Sequence, residues 1–383
     1  MSQPVEFYRH CLGEEEFASV RETLSSIFIT LGPRVAEFEQ AFAEYLGVPH
    51  VIGLSSCSTA MVLALRALGV GPGDEVITTP MTFVATPNAA LQVGATPVFA
   101  DVDPRTGLID PESVEAAITP RTKAIITVSL YGQLTDVRRL REIADDRGLF
   151  LIEDAAHAVE ARLDGARTGS HSHATAFSFY ATKNLTCGDG GALAVHDEEL
   201  ARRVKSLRNH GITKDAATRY GQAYSHWDMR ELGYKAALTD VQASILLPQL
   251  PHIDARRARR QSLVERYERE LAGHPHVQLV ERRGVSAHHL FAVLVPAAIR
   301  DDVLAGLGRR KIGCAVNYRA VHTLTYFRER YGFERDAFPS AAAFGERTVT
   351  LPLWPDLPPD DVSVVVQALD AAVSDALAGT QRS

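Results

Sequence analysis

Two residues at the ends of apolar segments have the types and spacing needed for covalent cofactor chemistry. Lys183 follows ATAFSFYA (174–181), and Asp154 ends LFLIED (149–154), 29 residues earlier. Both segments are β-prone, which predicts buried strands with polar residues at their tips. A lysine amine forms a Schiff base with pyridoxal 5′-phosphate (PLP), and a carboxylate keeps the pyridine nitrogen protonated so that the ring accepts electrons. A lone lysine is usually a solvated loop residue, but together with Asp154 it predicts a PLP enzyme.

A candidate phosphate site lies in GLSSCSTAMVLAL (53–65), which predicts a strand, a polar turn and a helix. The free N–H groups and the dipole at the start of that helix suit a phosphate dianion. The serines around Ser58 are also ordinary helix-capping residues, and capping is the alternative interpretation.

Three further side chains follow the same logic. Phe83 in ITTPMTFVAT (77–86) is expected at the tip of the next strand, where its ring can stack on pyridine. Ser178 lies on the strand leading to Lys183 and is a second phosphate candidate. His157 follows Asp154 by three residues and is expected to flank the cofactor. The alternatives are a core phenylalanine, a buried serine bonded to the backbone and a structural histidine.

The order of the predicted elements indicates an α/β fold. From residue 50, short β-branched runs alternate with predicted helices at 58–68, 86–92, 111–117 and 136–147. This alternation predicts a mostly parallel sheet, with the ligand beyond the carboxyl ends of its strands. We expect a large cofactor-binding domain over 1–250. A smaller C-terminal α+β domain is expected over 251–383, with a long helix, a strand in HLFAVLVP (289–296) and a final helix.

Composition narrows the class of protein. The 383 residues are 46% hydrophobic and 23% charged, which is typical of a soluble globular chain, and that length favours two domains. The net charge of −7 argues against broad nucleic-acid binding. RRARR (256–260) is the one basic run, and it predicts a helix with a solvated arginine face.

The cysteines and the N-terminus indicate a cytoplasmic protein that is not in a membrane. The four cysteines form no CxxC pair, which favours free thiols over disulfides or zinc. His171 and His173 are expected to be exposed and have no partner cluster, so no metal is expected. The N-terminus has no apolar signal region, and no run of about 18 apolar residues occurs.

Taken together, the segments resemble the DegT-type sugar-nucleotide aminotransferases, a family of fold-type I PLP enzymes. The resemblance covers nearly the whole chain. It rests on LGPRVAEFEQAFAEYLGV, GVGPGDEVITTPMTFVATPNAA, DVDPRTGLID, ITPRTKAIITVSLYGQLTD, IEDAAHA, FSFYATKNLTCGDGG, LRNHG and LGYKAALTDVQA. Within the family, EDAAHA, NLTCGDGG and NYRAVHTLTYFRERYGF (317–333) are most similar to enzymes that aminate C4, such as UDP-4-amino-4-deoxy-L-arabinose aminotransferase.

The resemblance implies a role for each matching residue. Lys183 would hold PLP covalently and shuttle protons, Asp154 would pair with the pyridine nitrogen, and Phe83 would stack on the ring. The remaining matches are Cys57, Ser58 and Ser178 around the phosphate, His157 beside the cofactor, and Tyr318 and His322 near the sugar. The implied reaction transfers an amino group from L-glutamate to a dTDP- or UDP-linked keto-sugar. The implied assembly is a homodimer with shared active sites.

Two departures and three alternatives accompany this resemblance. Many relatives have Asn where GYKAA has Ala237, and that Asn contacts the partner's phosphate. Lys235 either compensates or is a lysine on a helix surface. Asp189 replaces a Glu of closer relatives, which is a mild change. The alternative functions are a 3-keto-sugar aminotransferase, a sugar 3-dehydratase with histidine in place of Lys183, and a non-catalytic PLP-binding regulator.

Overall fold

The computed structural model describes residues 3–212 and 226–380. Its helices are α1 Glu14–Leu24, α2 Pro33–Leu46, α3 Cys57–Ala67, α4 Ala85–Gln92, α5 Pro111–Ala117, α6 Val137–Arg147, α7 Glu198–Leu207, α8 Asp240–Leu246, α9 Ile253–Leu271, α10 Arg300–Arg309, α11 Thr325–Tyr331, α12 Pro339–Arg347 and α13 Pro359–Thr380. Its strands are β1 His50–Leu54, β2 Glu75–Thr78, β3 Thr96–Phe99, β4 Thr122–Val128, β5 Phe150–Asp154, β6 Arg162–Leu163, β7 Ala166–Arg167, β8 Ala174–Ser178, β9 Gly191–Val195, β10 Gln278–Leu279, β11 Phe291–Leu294 and β12 Thr348–Leu351.

The central sheet has seven strands in the order β1-β9-β8-β5-β4-β2-β3. Strands β3, β2, β4, β5 and β8 pair in parallel, which confirms the expected α/β fold with a mostly parallel sheet. Nearly all side chains of β2, β5 and β8 are buried, as expected for strands covered by helices on both faces, whereas Thr96 on β3 and Lys123 on β4 are exposed.

Strand β9 was not predicted from the sequence. It runs antiparallel to both β1 and β8 and lies between them. The chain therefore turns back after β8, and residues 179–190 form a compact connection in which the Cys187 N–H bonds to the Phe179 carbonyl at 3.0 Å. Because parallel β8 ends at the same edge as β5, this return holds Lys183 near the end of β5.

Helix α3 starts beside β9 at very close range. The Ser56 hydroxyl caps the helix by accepting a hydrogen bond from the Thr59 N–H at 3.1 Å. A Cβ on Gly191 would lie only 2.3 Å from the Ser56 carbonyl carbon and 2.5 Å from the Cys57 nitrogen. Glycine is required at the start of β9 because only a bare backbone lets the helix start approach the sheet this closely.

A three-stranded sheet, β10-β11-β12, forms the centre of the C-terminal part. Its core also includes Val5, whose backbone pairs with Ile312, so the N-terminal segment packs against this part. We propose the domain boundary near residue 250, in the 3-10 turn Leu247–His252 that precedes α9.

Helix α13 is long and apolar enough to cross a membrane, with a mean hydropathy of 1.4 over Pro359–Gly379. One face of α13 packs in this core against α10 and α9.

The prediction of a solvated arginine face on α9 is wrong for Arg260. Arg260 is only 1% exposed and forms an ion pair with Glu160, which is also buried, at 2.5 Å. The helix turns this position toward the central sheet, whereas the neighbouring Arg259 is exposed.

Replacing Gly191 with alanine should destabilise the protein. The added Cβ must displace backbone at the start of α3, which costs about 1–3 kcal/mol of unfolding free energy for overpacking. Gly308→Ala is the matched control, since a Cβ there meets nothing within 4 Å in α10. That control should be neutral or stabilising by up to about 1 kcal/mol. Urea unfolding of both variants measures the difference, and equal midpoints would contradict the close approach.

Candidate active site

A cavity of about 580 Å³ opens at the carboxyl edge of the central sheet. It brings together eight of the residues expected from the sequence: Cys57, Ser58, Phe83, Asp154, His157, Ser178, Lys183 and Tyr318. They come from the ends of β5 and β8, the start of α3, the β8–β9 connection, the segment after β2 and the C-terminal part of the chain. The parallel sheet therefore gathers side chains that are far apart in sequence.

Asp154 is buried at the inner end of the cavity and its carboxylate accepts three hydrogen bonds. The Thr86 hydroxyl donates at 2.7 Å, the Ala156 N–H at 3.2 Å and the Cys57 thiol at 3.6 Å. A carboxylate has about four acceptor positions, so Asp154 retains capacity for an N–H donor from a ligand. The Cys57 thiol is directed at Asp154, which leaves its main-chain N–H as the group available to a phosphate.

Lys183 lines the same cavity from the β8–β9 connection. Burial lowers its pKa from 10.5 to about 8, although the charge of Asp154 acts in the opposite direction. At pH 7 a pKa of about 8 leaves roughly a tenth of the amine unprotonated, and only this form is a nucleophile. Lys183 is therefore set up for reaction with a carbonyl.

His157 is neutral and its tautomer follows from its neighbours. Burial, followed by the charge of Lys183, lowers its pKa well below 6.5. Its Nδ1 accepts a hydrogen bond from the Tyr131 N–H at 3.3 Å, so the ring proton is on Nε2, which lies 3.2 Å from the Tyr318 hydroxyl. His157 thus connects the end of β5 to the C-terminal wall of the cavity.

Phe83 is not a core residue, because 56% of it is exposed. Its ring lines the cavity 5.8 Å from the ring of Tyr318. An aromatic face left open in a cavity is available to stack on a flat ligand.

The start of α3 is suited to a phosphate. Thr59 and Ala60 donate their N–H groups to the Ser56 hydroxyl and carbonyl. Cys57 and Ser58 precede them in the first turn and line the cavity, and their N–H groups have no acceptor within the helix. Ser178, the last residue of β8, lines the cavity and completes this cluster.

Two expected substrate residues are not part of the cavity. His322 is fully buried, its Nε2 lies 3.1 Å from the Arg335 carbonyl and its ring packs 5.0 Å from Phe338. His322 lies in the 3-10 turn Val321–Thr323 and does not line the cavity, so its contact with the sugar stays a prediction. Lys235 is exposed on an extended segment that pairs with Asn209, not on a helix, and it does not line the cavity.

Sequence reasoning missed two polar residues of the site. Thr86 donates to Asp154, and His289 Nε2 lies 3.5 Å from the Lys183 amine. Thr86 is in the ITTPMTFVAT stretch, where a hydroxyl at the start of a helix after a strand was a usable signal. His289 precedes β11 and is remote in sequence, so nothing local points to it.

The hydrogen-bonding groups, charges and open aromatic ring of these residues fit PLP. Asp154 has spare acceptor capacity at the inner end, Lys183 has a lowered pKa, Phe83 has an open ring and α3 has unpaired N–H groups at its start. In the described ranges, 3–212 and 226–380, no group of three metal-binding side chains occurs.

Comparison with known proteins identifies the relatives of this chain. A family model described as the DegT/DnrJ/EryC1/StrS aminotransferase family matches residues 10–370. The chain is 41% identical to the spore coat polysaccharide biosynthesis protein SpsC of Bacillus subtilis over 94% of each protein. The PLP form of Spr1654 from Streptococcus pneumoniae, assigned as a sugar aminotransferase, superposes with a TM-score of 0.91, 30% identity and coverage of 98% and 100%. PseC of Helicobacter pylori, an aminotransferase of pseudoaminic acid biosynthesis, superposes at 0.91 with 26% identity over 97% and 100%.

We expect Lys183 to titrate near pH 8 in the protein freed of cofactor. Competitive labelling of amines across pH 6–10, read by peptide mass spectrometry, measures this value, with exposed Lys123 as the internal reference. Asp154→Asn should lower the pKa of Lys183 further, since the lost negative charge no longer favours the ammonium form. A rise in that variant would mean that Asp154 does not act on Lys183.

Proposed function

Because this chain belongs to the DegT/DnrJ/EryC1/StrS aminotransferase family, we propose that it transfers an amino group from L-glutamate to C4 of a 4-keto-sugar nucleotide. Enzymes of this family are PLP-dependent sugar aminotransferases. Beyond the family's reaction, we propose the amino donor, the nucleotide (dTDP or UDP), the carbon that is aminated and the residues responsible.

The observation that carries the proposal is the pairing of a low-pKa lysine with a buried, hydrogen-bonded aspartate in one cavity. When bound, PLP supplies an electron sink for proton removal from the carbon that bears the amino group. Asp154 would keep the pyridine nitrogen protonated, because its carboxylate is held in place by Thr86, Ala156 and Cys57. Lys183 would carry the proton between the carbon that bears the amino group and the cofactor. Its pKa of about 8 suits both accepting and donating a proton near neutral pH.

Cofactor placement follows from the other cavity walls. Phe83 would stack on the pyridine ring. The main-chain N–H groups of Cys57 and Ser58, with the hydroxyls of Ser58 and Ser178, would hold the phosphate. The dipole of α3 contributes about 0.3–1 kcal/mol to phosphate binding, so the hydrogen bonds supply most of it.

The preference for C4 rests on His157. C4 enzymes of the family tend to have this histidine in EDAAHA, whereas many C3 enzymes have glutamine. In this chain the His157 Nε2–H faces the Tyr318 hydroxyl, so the histidine links the cofactor side of the cavity to the residue proposed to contact the sugar. A carboxamide has a different shape and different donor positions, which would change the sugar pose.

A homodimer in the cytoplasm is part of the proposal. Leu24, Ile27 and Ile29 lie close together in sequence and are exposed by 59%, 80% and 52%, which is unusual for a monomer. A second copy would cover them. Lys235 is exposed and is proposed to reach the partner's phosphate site in place of the Asn that Ala237 replaces.

The proposed location is the cytoplasm. The four cysteines are free thiols, which fits a reducing compartment. Activity confined to a membrane fraction would contradict this location.

We expect the purified protein with PLP and L-glutamate to aminate C4 of 4-keto-6-deoxy or 4-keto-pentose nucleotides. A panel of dTDP- and UDP-linked 4-keto and 3-keto sugars, with products assigned by NMR, tests the substrate and the position together. Efficient amination at C3 alone would reject the C4 assignment and leave an aminotransferase.

Lys183→Ala should lose all turnover, whereas Lys123→Ala, at an exposed position of β4, should keep it. Borohydride reduction of the wild-type holoenzyme should leave the pyridoxyl group on the Lys183 peptide. A label on another lysine would reject the assignment of Lys183.

Sedimentation should show a dimer. Ile27→Glu should shift the protein toward monomer, because it places a charge in the proposed interface, and PLP affinity should fall with it. A fully active wild-type monomer would contradict the shared site.

A further inference from the structure

A line of half-buried and buried polar side chains runs from Lys183 into the protein interior. The Lys183 amine lies 3.5 Å from His289 Nε2, and His289 Nδ1 lies 3.3 Å from Asn184 Oδ1. Asn184 in turn contacts the buried ion pair of Glu160 and Arg260. The proposed roles above use none of the residues beyond Lys183.

The ion pair sets the orientation of the Asn184 amide. The amide nitrogen donates to Glu160 Oε2 at 3.1 Å and to the Ala287 carbonyl at 2.9 Å. Both groups are acceptors, so the opposite orientation would place oxygen against oxygen. Arg260 anchors the acceptors by donating to Glu160 at 2.5 Å and to the Ala287 carbonyl at 3.2 Å.

The orientation of Asn184 determines the tautomer of His289. The Asn184 oxygen can only accept, so the facing Nδ1 must carry the ring proton. Burial, followed by the charge of Lys183, lowers the pKa of His289 well below 6.5, so the ring is neutral. Its Nε2 then bears a lone pair that faces the Lys183 amine.

We propose that His289, held as its Nδ1–H tautomer by Asn184, is a positioning residue that accepts a hydrogen bond from Lys183 and orients the reactive amine. The inference rests on the proposed role of Lys183 as that amine. A neutral acceptor stabilises the ammonium form more than the free amine, because a hydrogen bond from a cation is stronger. His289 and Asp154 therefore both raise the pKa of Lys183, whereas burial lowers it. Cys57 and His157 are the other titratable groups facing the lysine.

The first test measures the pKa of Lys183 in full-length protein without cofactor, by competitive labelling. His289→Leu removes the acceptor and should lower this pKa by about 0.5–1 units. His289→Gln retains an oxygen acceptor at similar reach and should recover most of the shift. A Gln variant that titrates like the Leu variant, or a Leu variant with an unchanged or raised pKa, would overturn the proposal.

His288→Asn is the matched control. His288 is an adjacent buried histidine that contacts Gln261 instead of Lys183, and asparagine tolerates its positive φ of 48°. This variant should leave the pKa of Lys183 unchanged. A shift equal to that of His289→Leu would mean a general packing effect and would reject the proposal.

The second test needs only the wild-type chain. In protein labelled with ¹⁵N-histidine, the His289 signal, assigned by its loss in His289→Gln, should show a neutral ring protonated at Nδ1 from pH 6 to 9. An Nε2–H tautomer or an imidazolium would overturn the proposal. Neither test uses PLP or a sugar, so their failure is distinguishable from failure of the proposed aminotransfer.

Discussion

The site depends on a buried negative charge at the end of β5. An isolated carboxylate is costly to remove from water, so Asp154 requires donors on several sides. Thr86 from α4, the main chain of Ala156 and the Cys57 thiol from α3 supply them. Since these donors belong to elements that follow different strands, the carboxylate is satisfied only when the parallel sheet has formed.

The antiparallel return of β9 places the reactive amine. A parallel crossover after β8 would carry the chain away from the carboxyl edge, whereas the β8–β9 connection folds back over it. The same strand brings Gly191 against the start of α3, where the N–H groups proposed to hold the phosphate lie. Strand β9 thus adjoins both ends of the proposed cofactor site, and its close approach to α3 explains the glycine at position 191.

The Glu160–Arg260 pair is connected to Lys183 through Asn184 and His289. A buried ion pair often adds little net stability, but loss of one partner leaves an uncompensated charge. Here the pair joins α9 to the segment after β5, and through Asn184 it also contacts the β8–β9 connection. The pair therefore restricts the position of Asn184, which contacts His289 beside Lys183, and it links α9 to the active site.

Much of the fold and of the site was predictable from local pattern. Lys183, Asp154 and Ser178 end apolar β-prone runs, and strand ends in a parallel sheet meet at one edge, so their convergence follows from the alternation of strands and helices. Tyr318, which the family motifs place near the sugar, lines the cavity. His322 and Lys235, also predicted as substrate residues, do not line it: His322 is buried beside Phe338 and Lys235 is exposed on an extended segment. The burial of Arg260, the hydroxyl of Thr86 on Asp154 and the contact of His289 with Lys183 were decided only by tertiary structure. Each depends on which face of one element packs against another distant in sequence, and hydrophobic periodicity within a single segment carries no information about that pairing.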